Sequence, residues 1–126
     1  MKTTTGSHDV RSQQAAKALA ALPHGGRDAI RLRVQCTRSH HVATVYETDQ
    51  GLVYAAPVRA RSHGDYDLPD EPHGNQTPHL WLDLLEGPRD ASDDTLPAWC
   101  DCGHRALSRA DILTWIADRE HRVIVD

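Results

Sequence analysis

All three cysteines of this chain sit in two short segments far apart in sequence, Cys36-Thr-Arg-Ser-His40 and Trp99-Cys100-Asp-Cys102-Gly103-His104. An odd number of cysteines cannot all pair within one chain, which argues against a disulfide scaffold and for metal use in a reducing compartment. Structural zinc takes four soft or borderline ligands in a tetrahedron, commonly two from each of two tight turns. Cys36, Cys100 and Cys102 with one histidine would complete such a shell. His40 is the favoured fourth ligand because it shares a turn with Cys36; His41 and His104 are the alternatives. Gly103, directly after Cys102, lets the backbone turn sharply and aim amide donors at thiolate sulfur. Three thiolates and one imidazole leave no open position, so the expectation is one zinc with a structural and not a catalytic role. Two plainer readings compete with it. Buried free cysteine packs as a small hydrophobe, and Cys36 has the apolar phase of its strand. A Cys36–Cys100 or Cys36–Cys102 disulfide is the other.

A metal clip also answers a shortage. Only 39% of the 126 residues are apolar, with no Phe and one Met. A chain of this size must bury well over half of its unfolded surface, and small thin-cored proteins usually add a staple. The length fits one domain spanning 1–126.

The clearest secondary-structure signal is the alternation of Ile30, Leu32, Val34 and Cys36 with Arg31, Arg33 and Gln35, the two-residue period of a half-buried strand. A second strand is expected over His41–Thr48, then a turn at Asp49-Gln50-Gly51 and a third strand from Leu52 to Ala56. Upstream, Ala15, Ala18, Leu19 and Leu22 recur at helical steps, so residues 8–22 read as a helical arm, ended by Pro23-His24-Gly25-Gly26. Its alanine-rich stripe predicts weak docking, or else a partner-binding role. Residues 57–79 and 87–95 read as loops, and 1–7 as a disordered start. Between the loops, His79–Glu86 alternates like a strand. Ser108 and Asp111 form a capping-box-like helix start, with Leu107 and Ile112 placed as a hydrophobic staple. Arg122–Asp126 reads as a short terminal strand. The fold class is therefore α+β: a small antiparallel, metal-clipped sheet with an N-terminal helix and a capped C-terminal helix.

The two cysteine turns resemble those of the zinc-ribbon and zinc-knuckle families, including small bacterial members, whose hairpins carry a Cys-rich turn ending in glycine. The likeness covers Cys36 to His41, Cys100 to His104 and the meander between them. The usual turn in those families is Cys-x-x-Cys-Gly, whereas this chain has Cys-x-x-x-His and Cys-x-Cys-Gly. The resemblance implies a zinc site and no particular activity.

Charge is distributed unevenly, although the formal total is only −4. Residues 1–38 carry seven basic groups against two acidic; residues 65–101 carry one against ten. Arg31 and Arg33 share a strand phase, and Arg27 and Arg38 flank them. Such a stripe can grip phosphates, with Tyr46 and Tyr54 as aromatics to stack bases if they share its face. The competing reading is a solubilising outer face. His63, Asp65, Asp67, Asp70, Glu71, His73 and His79 form a second polar cluster, which would suit a small metal-dependent enzyme on the 63–79 loop. As a solvated acidic loop it would be inert. No phosphate-cradling, dinucleotide or nucleophile-elbow motif is present. Pro97-Ala-Trp-Cys100-Asp-Cys102 lacks both the cysteine spacing and the His-x-Glu pair of zinc deaminases. No membrane-spanning run or signal-peptide core is seen, so a cytoplasmic location is expected. These readings favour a non-enzymatic zinc-binding adaptor that contacts a nucleic acid or a nucleic-acid-handling complex. The loop enzyme and a protein–protein module using the acidic loops are the alternatives.

Overall fold

Strand β1 (Ile30–Cys36) forms where the apolar–polar alternation is strictest, and Leu32, Val34 and Cys36 are all buried. The structure is a computed structural model that describes residues 8–57, 80–86 and 94–126. The loop expected over 57–79 therefore lies outside it except for Pro57, as do 1–7 and residues 87–93. β1 is followed by β2 (His41–Thr48) and β3 (Gly51–Pro57), each antiparallel to its predecessor. β4 (Leu80–Leu84) pairs antiparallel with β3 at one edge of the sheet. At the other edge β7 (Arg122–Val125) lies parallel to β1, giving the order β4-β3-β2-β1-β7. The sheet is thus mixed, because β7 reaches β1 only after a long crossover.

That crossover holds a second, two-stranded sheet. β5 (Thr95–Cys100) and β6 (Gly103–Ser108) form a hairpin with Asp101 and Cys102 as its two-residue loop. Neither strand was anticipated, and the loop expected over 87–95 gives way to β5 at Thr95. The C-terminal helix α2 (Arg109–Ala117) starts as its sequence predicts: Ser108 Oγ accepts from the Asp111 N–H at 3.2 Å. Leu107 and Ile112, the staple pair, are both buried.

Alternation along the strands separates two cores. On one face of the five-stranded sheet, Leu32, Val34, Val45 and Tyr54 pack with Leu96 and Ala98 of the hairpin and Ile112 of α2. Tyr54 anchors this contact, donating its hydroxyl to the Pro97 carbonyl at 2.8 Å. Each large aliphatic side chain so buried contributes roughly 1.5–3 kcal/mol. On the opposite face, Ala15 and Ala18 of α1 (His8–Ala20) pack on Val53, with Leu82 and Leu84 beside them. The turn after α1 holds His24, Gly25 and Gly26 in left-handed backbone. At Gly26 a Cβ would lie 3.1 Å from the Tyr46 ring, so glycine is required there.

The helix is docked by more than alanines. Arg11 of α1 and Arg109 at the start of α2 converge on Asp83 of β4, with Arg11 Nε to Oδ1 at 2.6 Å and Arg109 Nη2 to Oδ2 at 2.7 Å. Asp83 is fully buried, and both arginines are nearly so. Arg109 also donates to the Leu84 and Leu85 carbonyls at 3.0 and 3.1 Å. A buried carboxylate is tolerable only with such pairing. The ion cluster binds α1, the β4 edge and α2 together, which the weak apolar stripe of α1 could not do alone.

Candidate metal centre

The turn between β1 and β2 and the turn between β5 and β6 meet at one end of the two sheets. In the first turn, the Cys36 N–H donates to the His40 carbonyl at 3.0 Å and the Ser39 N–H to the Cys36 carbonyl at 2.8 Å. Ser39 takes a left-handed φ of 69° to close it. In the second, Gly103 has φ of 124°, which favours glycine, and open space where a Cβ would stand. Its glycine is therefore a matter of backbone conformation and not of crowding.

These two turns bring Cys36, His40, Cys100 and Cys102 together, with one ligand atom from each lying within 4.8 Å of the others. Cys36 Sγ is 3.4 Å from His40 Nδ1 and 4.0 Å from Cys102 Sγ, and Cys102 Sγ is 3.5 Å from His40 Nδ1. Such a cluster is compatible with a bound metal ion. The cysteines are not disulfide-bonded; Cys36 and Cys100 are buried and Cys102 is exposed.

Donors surround the sulfurs. The Arg38 N–H points to Cys36 Sγ at 3.3 Å and the Cys102 N–H to Cys100 Sγ at 3.4 Å. Burial alone would push the Cys36 thiol up, but hydrogen bonds from the Arg38 and His40 backbone and from the neighbouring thiols bring it down to about 6. Although the Cys102 residue is exposed, its thiol is pushed up by desolvation of the sulfur, by its hydrogen bond with Cys36 and by the charge on Cys36 and Cys100. Acceptance of N–H donors favours the thiolate, the form that binds metal.

Arg105, which the sequence reading did not single out, completes the surroundings. Its Nε donates to Cys100 Sγ at 3.3 Å, and its Nη1 donates to the Asp126 carbonyl. The signal was available in outline, since Arg105 lies on the strand that leaves the cysteine turn. On the other side, Asp101 Oδ2 is 3.8 Å from His40 Nε2, the ring nitrogen turned away from the sulfurs. His104 and His41, the alternatives to His40, are both exposed and outside the four-residue cluster. His41 pairs across the sheet with Gln35, and His104 with Trp99.

The expected basic surface is only partly assembled. Arg27, Arg33 and Arg38 are exposed. Arg31 is drawn away, donating to the carbonyls of Ile116 at 2.7 Å and Glu120 at 3.1 Å, where it satisfies the end of α2. The β1–β2 register is irregular between Ile30 and Leu32, so Arg31 leaves the row that strict alternation predicts. Tyr54 is wholly buried and cannot stack on a base. Tyr46 belongs to the α1 core, on the other face of β2–β3 from Tyr54. The two aromatics therefore share no face, because they occupy adjacent register positions of opposite phase. His63, Asp65, Asp67, Asp70, Glu71, His73 and His79 lie outside the described residues. Among the described residues no helix is long and apolar enough to cross a membrane. Comparison with protein families, curated proteins and solved structures found no match to this chain.

Proposed function

We propose that the chain is a small non-enzymatic adaptor built around one structural zinc ion and that it contacts a nucleic acid or a nucleic-acid-handling complex. The observation that carries the zinc reading is the geometry of the four ligand atoms. A tetrahedral zinc with Zn–S near 2.3 Å and Zn–N near 2.05 Å separates two sulfurs by roughly 3.8 Å and a sulfur from a nitrogen by roughly 3.5 Å. The Sγ to Nδ1 distances of 3.4 and 3.5 Å and the Sγ to Sγ distance of 4.0 Å fall close to these values. Four protein ligands fill the shell, so a substrate or reactive water has no place on the metal.

Zinc with three thiolates carries one net negative charge, and the Arg105 guanidinium on Cys100 offsets it. Metal there would tie the end of β1 to the hairpin that contributes Leu96, Ala98, Cys100 and Leu107 to the core facing it. Binding would therefore appear as folding free energy. Native mass spectrometry and metal analysis of purified protein test the reading together. The expected result is one zinc per chain, lost along with folded signal in Cys102→Ser. Metal-free protein that is fully folded would defeat it.

A further inference from the structure

The open side of the β1–β7 ribbon has a chemistry that the sequence stripe did not foresee. β7 lies parallel to β1 with Arg33 opposite Arg122 and Gln35 opposite Ile124. Their neighbours Val34, Val123, Cys36 and Val125 pack in or against the hairpin-side core, so this quartet faces the other way. That is the sheet face carrying α1, but α1 packs chiefly on β4, with β3 and β2 beside it, and among the described residues Arg33 and Arg122 stay exposed at the far edge. Arg33 and Arg122 are exposed, and Ile124 is 54% exposed. Among the described residues neither arginine makes a hydrogen bond or ion pair through its side chain.

Two guanidiniums side by side on neighbouring strands, with backbones about 4.8 Å apart, repel each other. An anion shared between them would turn that cost into attraction, and phosphate accepts guanidinium hydrogen bonds bidentately. The surface has Tyr46 on its sheet face, but that ring packs with the α1 core, and Tyr54 is buried on the other face. The arginine pair can grip a backbone but offers no platform for stacked bases. A duplex, with one charge per about 1.7 Å of axis, suits such a surface better than a single strand that relies on stacking.

We infer that the Arg33–Arg122 pair on the open β1–β7 face is a phosphate-binding surface for duplex nucleic acid, contacted without regard to sequence. This rests on the adaptor reading above and names its contact. The metal centre holds the surface in register. Cys36 ends β1 directly beside Val125 of β7, and Arg105 links Cys100 to the Asp126 carbonyl. β1 thus ends in a residue of the cluster, and the residue that follows β7 is held by Arg105, which contacts the cluster.

The test uses zinc-loaded full-length protein and a fluorescein-labelled 20-base-pair duplex of scrambled sequence, read by anisotropy across a salt series. Two phosphate contacts contribute about 1.8 to the slope of log K against log salt, or about a 12-fold loss of affinity between 50 and 200 mM salt. The double variant Arg33→Gln/Arg122→Gln should lose that share of the slope. Lys17→Gln, on exposed α1 surface, should leave it unchanged. Zinc content and circular dichroism of every variant are measured alongside. Zinc-bound, folded wild-type protein that fails to bind the duplex at low salt would overturn the surface and leave the zinc reading standing. So would an unchanged slope in the double variant, tighter binding to single strand than to duplex, or binding to poly-glutamate but not to the duplex. Wild-type protein lacking zinc would instead strike the earlier reading.

Discussion

Removing the metal should cost the fold at least about 4 kcal/mol. The metal would link Cys36 to Cys100, two residues separated by 64 positions, and so acts on the unfolded chain as a cross-link does. The loop-closure expression used for disulfides gives about 4.3 kcal/mol for a loop of about 65 residues at 25 °C. That is a floor, because it omits the ligand bonds and the cost of three buried or crowded sulfurs left without a cation. Domains of this size are stable by only about 5–15 kcal/mol in all, so the loss is a large fraction of what holds them. It should fall first on the β5–β6 hairpin. Leu96, Ala98 and Leu107 hold the hairpin to the main sheet from within, while its cysteine turn would be held by the bound ion. Urea denaturation with and without a tight chelator, under reducing conditions, gives the change in midpoint. Hydrogen exchange locates it, with residues 95–108 losing protection before 41–57. A chelated protein that denatures at the same urea concentration as the loaded one would refute the reasoning.

Asp83→Asn keeps the size of the buried carboxylate but leaves Arg11 and Arg109 facing each other without it, and should destabilise by about 3–5 kcal/mol in denaturant titrations of zinc-loaded protein. His40→Ala should weaken zinc binding by at least ten-fold in competition with a chromophoric chelator, whereas His41→Ala and His104→Ala should leave it nearly unchanged. Burial holds the Tyr54 phenol well above its ordinary value. The neutral form is the one that folds, so its contribution is complete below pH of about 10 and declines as the pH rises further. In an ultraviolet titration, one of the three tyrosines should therefore ionise only as the protein unfolds.

Much of this molecule is written locally. The alternation of Ile30 to Cys36, the β-rich run of His41 to Thr48, the Gly51 turn and the Ser108 cap all predict the elements found, because each depends on residues within one or two turns of chain. Each half of the Cys36, His40, Cys100 and Cys102 cluster was legible for the same reason, since Cys36 shares a tight turn with His40 and Cys100 shares one with Cys102. The β5–β6 hairpin was there to be read in the alternation of Leu96, Ala98 and Cys100, but Pro97 and the acidic run before it disguised the strand. Other features had no local signature at all. The two core faces of β3 decide that Tyr54 is buried and Tyr46 is not beside it. A register irregularity sends Arg31 to the end of α2, and the parallel return of β7 puts Arg122 next to Arg33. Asp83 sits among leucines with nothing nearby to mark it, and its partners Arg11 and Arg109 stand 72 and 26 positions away. Pairings at such separations depend on which surfaces remain to be buried once the strands have formed, and that is a property of the packed chain, since burial and charge compensation are satisfied only in three dimensions.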